Sequence, residues 1–245
     1  MSRKQSDRSD QMTPQDAGAQ DVLAERDADS TTVSLSELAY ERILDRLFGR
    51  ELPAGAFLSQ SELVKLIGVP VAPLRDALRV LQTEGLLTIH PRSGIRFMKA
   101  DFEFARNTYQ FRAILERPAV RVFAETASFE LLDGLIERHN RAIAALESTG
   151  FTPVIAPEMV AIDAALHFEI ISALGNVLVD STYRRVHNYL QLIRLDRTLT
   201  TRIVLRTLHE HLVLLEACKA RDADAAEVAL QTHFSNALQR TLGIF

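Results

Sequence analysis

Apolar positions fall into two regimes that divide near residue 100. In the first, the helices are short. Leu38, Ile43, Leu44 and Leu47 share one helical face over residues 35–48, and Ser34 or Ser36 can cap that helix. A Leu52-Pro53-Ala54-Gly55-Ala56 turn follows. Ser59 and Glu62 have the S-x-x-E spacing of a capping box, which starts a helix near Gln60. Its apolar face is Leu63, Leu66 and Ile67, and Gly68 can take the left-handed conformation that ends a helix. Val69 and Pro70 lead into a second helix carrying Leu74, Ala77, Leu78 and Leu81, which stops at Gly85. Residues 86–90 and 95–98 flank a Pro91-Arg92-Ser93-Gly94 turn and predict a two-stranded hairpin with a basic tip. Helices about a glycine turn, followed by a hairpin, are the plan of a winged helix-turn-helix, whose second motif helix lies in the major groove of DNA.

Beyond residue 100 the pattern is helical throughout. Amphipathic stretches cover 102–126, 129–148, 157–174, 177–196, 200–220 and 222–241, with Gly150, Pro153, Gly175 and Asp222 at the breaks. About six antiparallel helices of this length form a bundle that can hold a site between facing helices. The fold expected is therefore mainly α, an N-terminal winged helix-turn-helix plus a C-terminal antiparallel helical bundle. The expected boundaries are a disordered arm over 1–32, where polar residues dominate, a DNA-binding domain over 33–99, and a helical domain over 100–245.

Composition narrows the class. A hydrophobic content of 47% suits a globular chain with a sizeable core, and no apolar run reaches the roughly 18 residues that span a bilayer. With no signal-peptide pattern, the expected location is cytoplasmic, without a membrane partner. Cys218 is the only cysteine, which excludes an intramolecular disulfide and a cysteine-rich zinc site; its neighbours Leu214, Leu215 and Ala220 point to a buried thiol. The net charge of -4 is unevenly distributed. Residues 33–99 hold nine Lys and Arg against seven acids, a net of +2 that leaves -6 for the rest.

The helical half carries candidate chemistry. Asp163 and His167 are four residues apart and face one way on one helix, while His211 and His233 lie near the middles of two later helices. Three imidazoles and a carboxylate suit a borderline divalent ion, Zn²⁺ foremost with Ni²⁺ or Mn²⁺ also compatible. His139, beside Glu137 and Arg138, reads as solvent-facing, and His209 faces away from His211. His187 and Asn188 could reach a cavity or simply pack. Arg112 stands among Phe111, Ala113 and Ile114, where it could clamp a ligand carboxylate or pair with Glu116 one turn on.

Several motifs together resemble the GntR family of bacterial transcription regulators. They are Tyr40-x-x-Ile43, Leu52-x-Ala54-Gly55-x-x-Leu58, Leu63-x-x-Leu66-Ile67-Gly68-Val69, Ala72-Pro73-Leu74-Arg75-Asp76-Ala77-Leu78, Leu81-x-x-Glu84-Gly85-Leu86 and Pro91-x-x-Gly94. Arg112-x-x-Leu115-Glu116, Asp163-x-x-x-His167, Glu210-His211 and His233 are similar to the effector domain of its FadR subfamily, the FCD type. The resemblance runs over about 35–242. It implies a homodimer that binds a palindromic operator in double-stranded DNA, most simply as a repressor, and responds to a small effector in the bundle. Asp163, His167, His211 and His233 coincide with the metal-binding set of the FCD type. Arg75 stands where the family keeps an arginine that reaches DNA, with Arg79 placed for backbone contact and Arg92 with Gly94 able to enter the minor groove. Two positions depart from the family: Pro70-Val71 replaces the usual Ser/Thr-Arg, and Ser61 stands where some relatives have arginine. Val71 can still meet a thymine methyl, and Ser61 can donate to a phosphate. Arg112 and Asn188 are the expected effector contacts, the effector being a small metabolite that bears a carboxylate.

Two other readings compete with this one. A metalloenzyme could use the Asp/His set to activate water, with Glu210 as base. A metal-stabilised scaffold would bind no effector. The winged module favours the regulator, and no enzymatic activity is expected.

Overall fold

The computed structural model describes residues 34–195, 197–241 and 243. The arm expected over 1–32 lies outside them. The N-terminal module runs α1 (Leu35–Phe48), β1 (Phe57–Leu58), α2 (Gln60–Ile67), α3 (Val71–Thr83), β2 (Leu87–His90) and β3 (Gly94–Phe97). Six longer helices follow: α4 (Phe102–Thr126), α5 (Phe129–Thr149), α6 (Ala156–Ser172), α7 (Val177–Leu195), α8 (Thr201–Lys219) and α9 (Ala223–Thr241). The chain is mainly helical, as its apolar periodicity dictates.

Local chemistry sets the helix ends. Ser34 and Ser59 both form capping boxes, their hydroxyls accepting from the Glu37 and Glu62 amides while those glutamates accept from the cap amides. Gly68 ends α2 at φ 71°, a conformation that costs glycine nothing. Helix α3 begins at Val71 behind Pro70, which offers no side-chain cap.

The hairpin is one strand short of the whole sheet. Strand β1 adds to the far side of β3, giving the antiparallel order β1-β3-β2 with Phe57 opposite Arg96 and Leu58 opposite Ile95. A two-residue strand carries no alternation for the eye to find. This placement also explains Gly94, at φ 156°: a Cβ there would lie 2.8 Å from the Leu58 carbonyl oxygen and 2.9 Å from Phe57 Cζ. The sheet alone therefore demands glycine here, whatever part the wing plays at the groove.

One core lies within the module and another within the bundle. Ile43, Leu63, Leu74, Leu81 and Phe97 are buried together, and Leu192 from α7 is buried with them. In the bundle α4 packs against α6, α7 and α9, while α8 packs against α5 and α9, enclosing Phe123, Leu132, Ile170, Leu190 and Leu215. A buried leucine such as Leu192 is worth about 2–5 kcal/mol against alanine, so α7 binds the two bodies firmly. No helix among the described residues is long and apolar enough to cross a membrane.

Candidate metal centre and nucleic-acid interface

Helices α6, α8 and α9 bring Asp163, His167, His211 and His233 together in the bundle core, all four buried, with one ligand atom of each within 4.8 Å of the others. The i, i+4 spacing places Asp163 and His167 on one stripe of α6. The His211 and His233 Nε2 atoms are 3.4 Å apart, and His211 Nε2 lies 3.6 Å from Asp163 Oδ1. Two nitrogens bound to one ion at about 2.0–2.1 Å lie roughly 2.9–3.4 Å apart for right-angle to tetrahedral geometry, so these gaps have the scale of a first coordination shell.

Each imidazole is oriented from behind. His167 Nδ1 lies 2.6 Å from Glu116 Oε2 and His233 Nδ1 lies 2.9 Å from Glu210 Oε2. A carboxylate only accepts, so both Nδ1 atoms carry protons and both Nε2 atoms turn to the cluster. The third is set by a relay. His139 Nδ1 donates to the Leu135 carbonyl at 2.8 Å, which makes His139 Nε2 the acceptor for His211 Nδ1 at 3.1 Å. Burial lowers His139, His211 and His233, the last to about 4, and so favours neutral rings there. The His211 and His233 Nε2 lone pairs then face each other with no proton between them, and His167 Nε2 is buried without a partner. A single divalent cation would satisfy all three at once. The donor set fits a divalent metal.

The supporting residues are themselves tied down. Glu116 accepts from Arg112 Nε at 2.5 Å and from Tyr183 Oη at 2.8 Å. Burial would raise its carboxyl, but Arg112 and then His167 outweigh that and hold it at about 2. Arg194 donates to Asp163 Oδ2, and for Asp163 too burial is outweighed, first by Arg194, leaving the carboxyl well below its usual range. Glu210 accepts two hydrogen bonds of 2.7 Å from Arg240, one of 2.9 Å from Asn236, and that of His233. Burial would raise it, yet Arg240 and His233 hold it at about 2, far from the value that suits a general base at neutral pH.

A cavity of about 90 Å³ opens beside the cluster, lined by Asp163 and His233 and by Arg112, Arg194, Arg197 and Arg240. Arg112 is 2% exposed, pairs with Glu116, lays its guanidinium 4.6 Å from the Phe234 ring centroid, and leaves Nη2 buried without a partner. The pairing with Glu116 read from the sequence is thus present, and the unpartnered Nη2 lies on the cavity lining. Asn188 is placed elsewhere. Its Nδ2 donates to Tyr40 Oη at 3.2 Å, between the bundle and the N-terminal module, so the expected effector contact is replaced by a structural one. His187 packs on Phe168, ring centroids 5.2 Å apart.

His139 corrects the sequence reading outright. It is fully buried, because 135, 139, 142 and 146 form one stripe on α5, whereas Glu137 and Arg138 lie off it. The leucine and alanine spacing on either side carried that signal. Glu210, Arg240, Arg194 and Tyr183 went unassigned as supports for the cluster because their partners sit on other helices.

The winged module carries the second set of candidate residues. Val71, Arg75 and Arg79 are exposed along α3, Arg75 Nε lying 3.5 Å from Gln60 Oε1 and Arg79 Nη1 lying 3.4 Å from Asp76. Ser61 is exposed beside Ser59, with hydroxyls 3.0 Å apart, and Arg92 is exposed at the hairpin tip with φ 62°. Arg96, not singled out from the sequence, stands exposed on β3 with its guanidinium 5.0 Å from the Phe57 ring centroid. Helix α7 joins the module to the metal cluster. Tyr189 Oη donates to the carbonyl of Glu84, the C-cap of α3, at 2.6 Å, and Arg50 Nη2 donates to the Arg197 carbonyl at 3.1 Å.

Comparison with known proteins agrees with this anatomy. The FCD domain model matches residues 107–236, more than half of the chain, and the model of bacterial regulatory proteins of the gntR family matches residues 35–97. The Nta operon transcriptional regulator of Aminobacter aminovorans is 29% identical over 193 residues, covering 76% of this chain and 86% of that protein. The HTH-type transcriptional regulator YdhC of Bacillus subtilis strain 168 is 22% identical, with 80% and 86% covered. Among solved structures, McbR/YncC of E. coli superimposes with a TM-score of 0.72 at 17% identity, covering 86% of this chain and 99% of that one, which shows a shared fold. With a gntR-type DNA-binding module before an FCD domain, the chain belongs to the GntR family of bacterial regulatory proteins and is a DNA-binding transcription regulator, not an enzyme.

Proposed function

We propose that this regulator is a metal-containing, metabolite-responsive repressor that binds an inverted-repeat operator as a homodimer in the cytoplasm. The observation that carries the reading is the convergence of three outward-anchored imidazoles and Asp163 on one buried point, beside an arginine-lined cavity. Asp163, His167, His211 and His233 would hold the ion, with zinc the best match to this nitrogen-rich set and nickel or manganese the alternatives. Such an ion supplies a Lewis-acidic point to which an effector carboxylate can bind. Asp163 and His233 line the cavity, so the open side of the cluster faces it, and the Arg112 Nη2 atom is the protein donor aimed at the same acid group.

Coupling to DNA requires that the ligand favour one arrangement of the module over another. Helix α7 supports such a link. It reaches the site through Arg194 on Asp163 and Tyr183 on Glu116, and it reaches the module through Tyr189 on Glu84, Asn188 on Tyr40 and the buried Leu192. At the DNA, Arg75 is the principal base-reading candidate on α3, with Val71, Ser61, Arg79 and Arg92 as supporting contacts.

A gel shift of the upstream DNA of its own operon tests the reading. Wild-type protein is expected to form a complex that a cognate metabolite weakens, and Arg75→Ala is expected to lose about 1–3 kcal/mol of binding. Wild-type affinity in Arg75→Ala would remove that helix from the interface.

A further inference from the structure

The metal cluster and Arg112 account for only part of the cavity. Four arginines line it, and three have carboxylate partners: Arg112 with Glu116, Arg194 with Asp163, and Arg240 with Glu210. Among the described residues Arg197 has none, and its Nη2 is buried without a hydrogen-bond partner. Its surroundings differ from those of Arg112. Arg197 feels Tyr109, Arg194 and Arg240, whereas Arg112 feels Glu116, Tyr183 and Asp163. Burial, and then the Arg194 and Arg240 charges, pull Arg197 below the usual arginine value, and among the described residues no carboxylate pairs with it. Arginine does not give up its proton, so the buried, unpartnered Nη2 is a donor suited to an anionic group that enters the cavity.

The backbone at this position is held in advance. Arg50 Nη2 donates to the Arg197 carbonyl, and the Arg197 amide donates to the Arg194 carbonyl at 3.2 Å, so the side chain starts from a fixed point. Apart from Tyr109 and Thr207, the rest of the lining, including Met159, Ile193, Leu199 and Ile203, is apolar and suits a short methylene linker. At about 90 Å³ the space is well below the roughly 300 Å³ at which pockets for drug-sized ligands begin, so the linker is short.

We infer that Arg197 anchors a second acidic group of the effector, which makes the effector a short-chain dicarboxylate held at one end by the metal and Arg112 and at the other by Arg197. This rests on the proposal that a metal-bearing cavity binds an acid. Calorimetry on the zinc-loaded full chain tests both separately, using malonate, succinate and glutarate against the monocarboxylates of equal length, propionate, butyrate and valerate. At least one dicarboxylate is expected to bind about ten- to a hundredfold tighter than its monocarboxylate counterpart, the worth of a charge-assisted hydrogen bond. Arg197→Gln is expected to abolish that advantage while leaving monocarboxylate affinity within about twofold, and to melt as the wild type does, since the buried Nη2 has no hydrogen-bond partner among the described residues. Equal affinity for the two acid classes, or equal weakening of both by Arg197→Gln, overturns the second subsite and leaves the metal-bound acid standing. Failure of every acid to bind zinc-loaded protein overturns both.

Discussion

Glu116→Gln is the sharpest perturbation the site offers, because it changes charge and hydrogen-bond polarity with almost no change of shape. Arg112 Nε and Tyr183 Oη both converge on Oε1, so the amide oxygen takes that place. The amide nitrogen then faces His167 Nδ1, which lies 2.6 Å from Oε2 in the native chain. Two donors cannot share that contact. The His167 proton moves to Nε2, the atom that faces the metal cluster, and a ligand is lost. Breaking a supporting contact behind a metal-bound histidine costs about 10- to 100-fold in metal affinity, and a lost ligand places this variant at the upper end. The metal-free protein suffers as well. Arg112 is left as a buried cation without its carboxylate, at a cost of about 3–5 kcal/mol. For a chain of this size that lowers the melting temperature by roughly 6–20 °C. Zinc competition against a chromophoric chelator, run well below the variant's melting temperature, reads the first effect, and circular-dichroism melts in EDTA read the second. A Glu116→Gln protein that binds zinc within about twofold of wild type would refute the tautomer argument. An unchanged metal-free melting temperature would refute the buried-pair argument.

Other consequences follow from single contacts. Gly94→Ala puts a Cβ against the Leu58 carbonyl at a backbone angle that disfavours side chains, so the module should lose about 1–3 kcal/mol of stability by denaturant titration; a normal melt with weakened DNA binding would instead place the glycine's role at the groove. Cys218 is fully buried, and burial pushes its thiol up to about 12, so at pH 8 the folded protein should not react with Ellman's reagent and the unfolded protein should release one equivalent; rapid native labelling would contradict the packing.

The fold was legible because periodicity and punctuation agree in this chain. Capping boxes at Ser34 and Ser59, the αL glycine at 68 and the breaks at Gly150 and Gly175 mark helix ends within a residue or two of where they fall. Strand β1 was not legible, since two residues carry no pattern and their pairing partner is about 40 positions away. The site divides along similar lines. Asp163 and His167 are visible as one helical stripe, but the Glu116, His139 and Glu210 contacts depend on which helices face each other in the bundle. His139 shows how a local reading misleads: its charged neighbours suggested solvent, while the stripe of Leu135, Ala142 and Leu146 carried it inward. Asn188 misled in the other direction, because α7 presents one face to the cavity and another to Tyr40 in the DNA-binding module.

Elemental analysis of the purified full chain, prepared without chelator, tests the central claim of a metal-centred sensor most directly. The account predicts about one equivalent of a first-row divalent metal per chain, zinc foremost, and its near-complete loss in an Asp163→Ala, His211→Ala double variant that still folds. A metal-free wild type that also takes up no added zinc would contradict it.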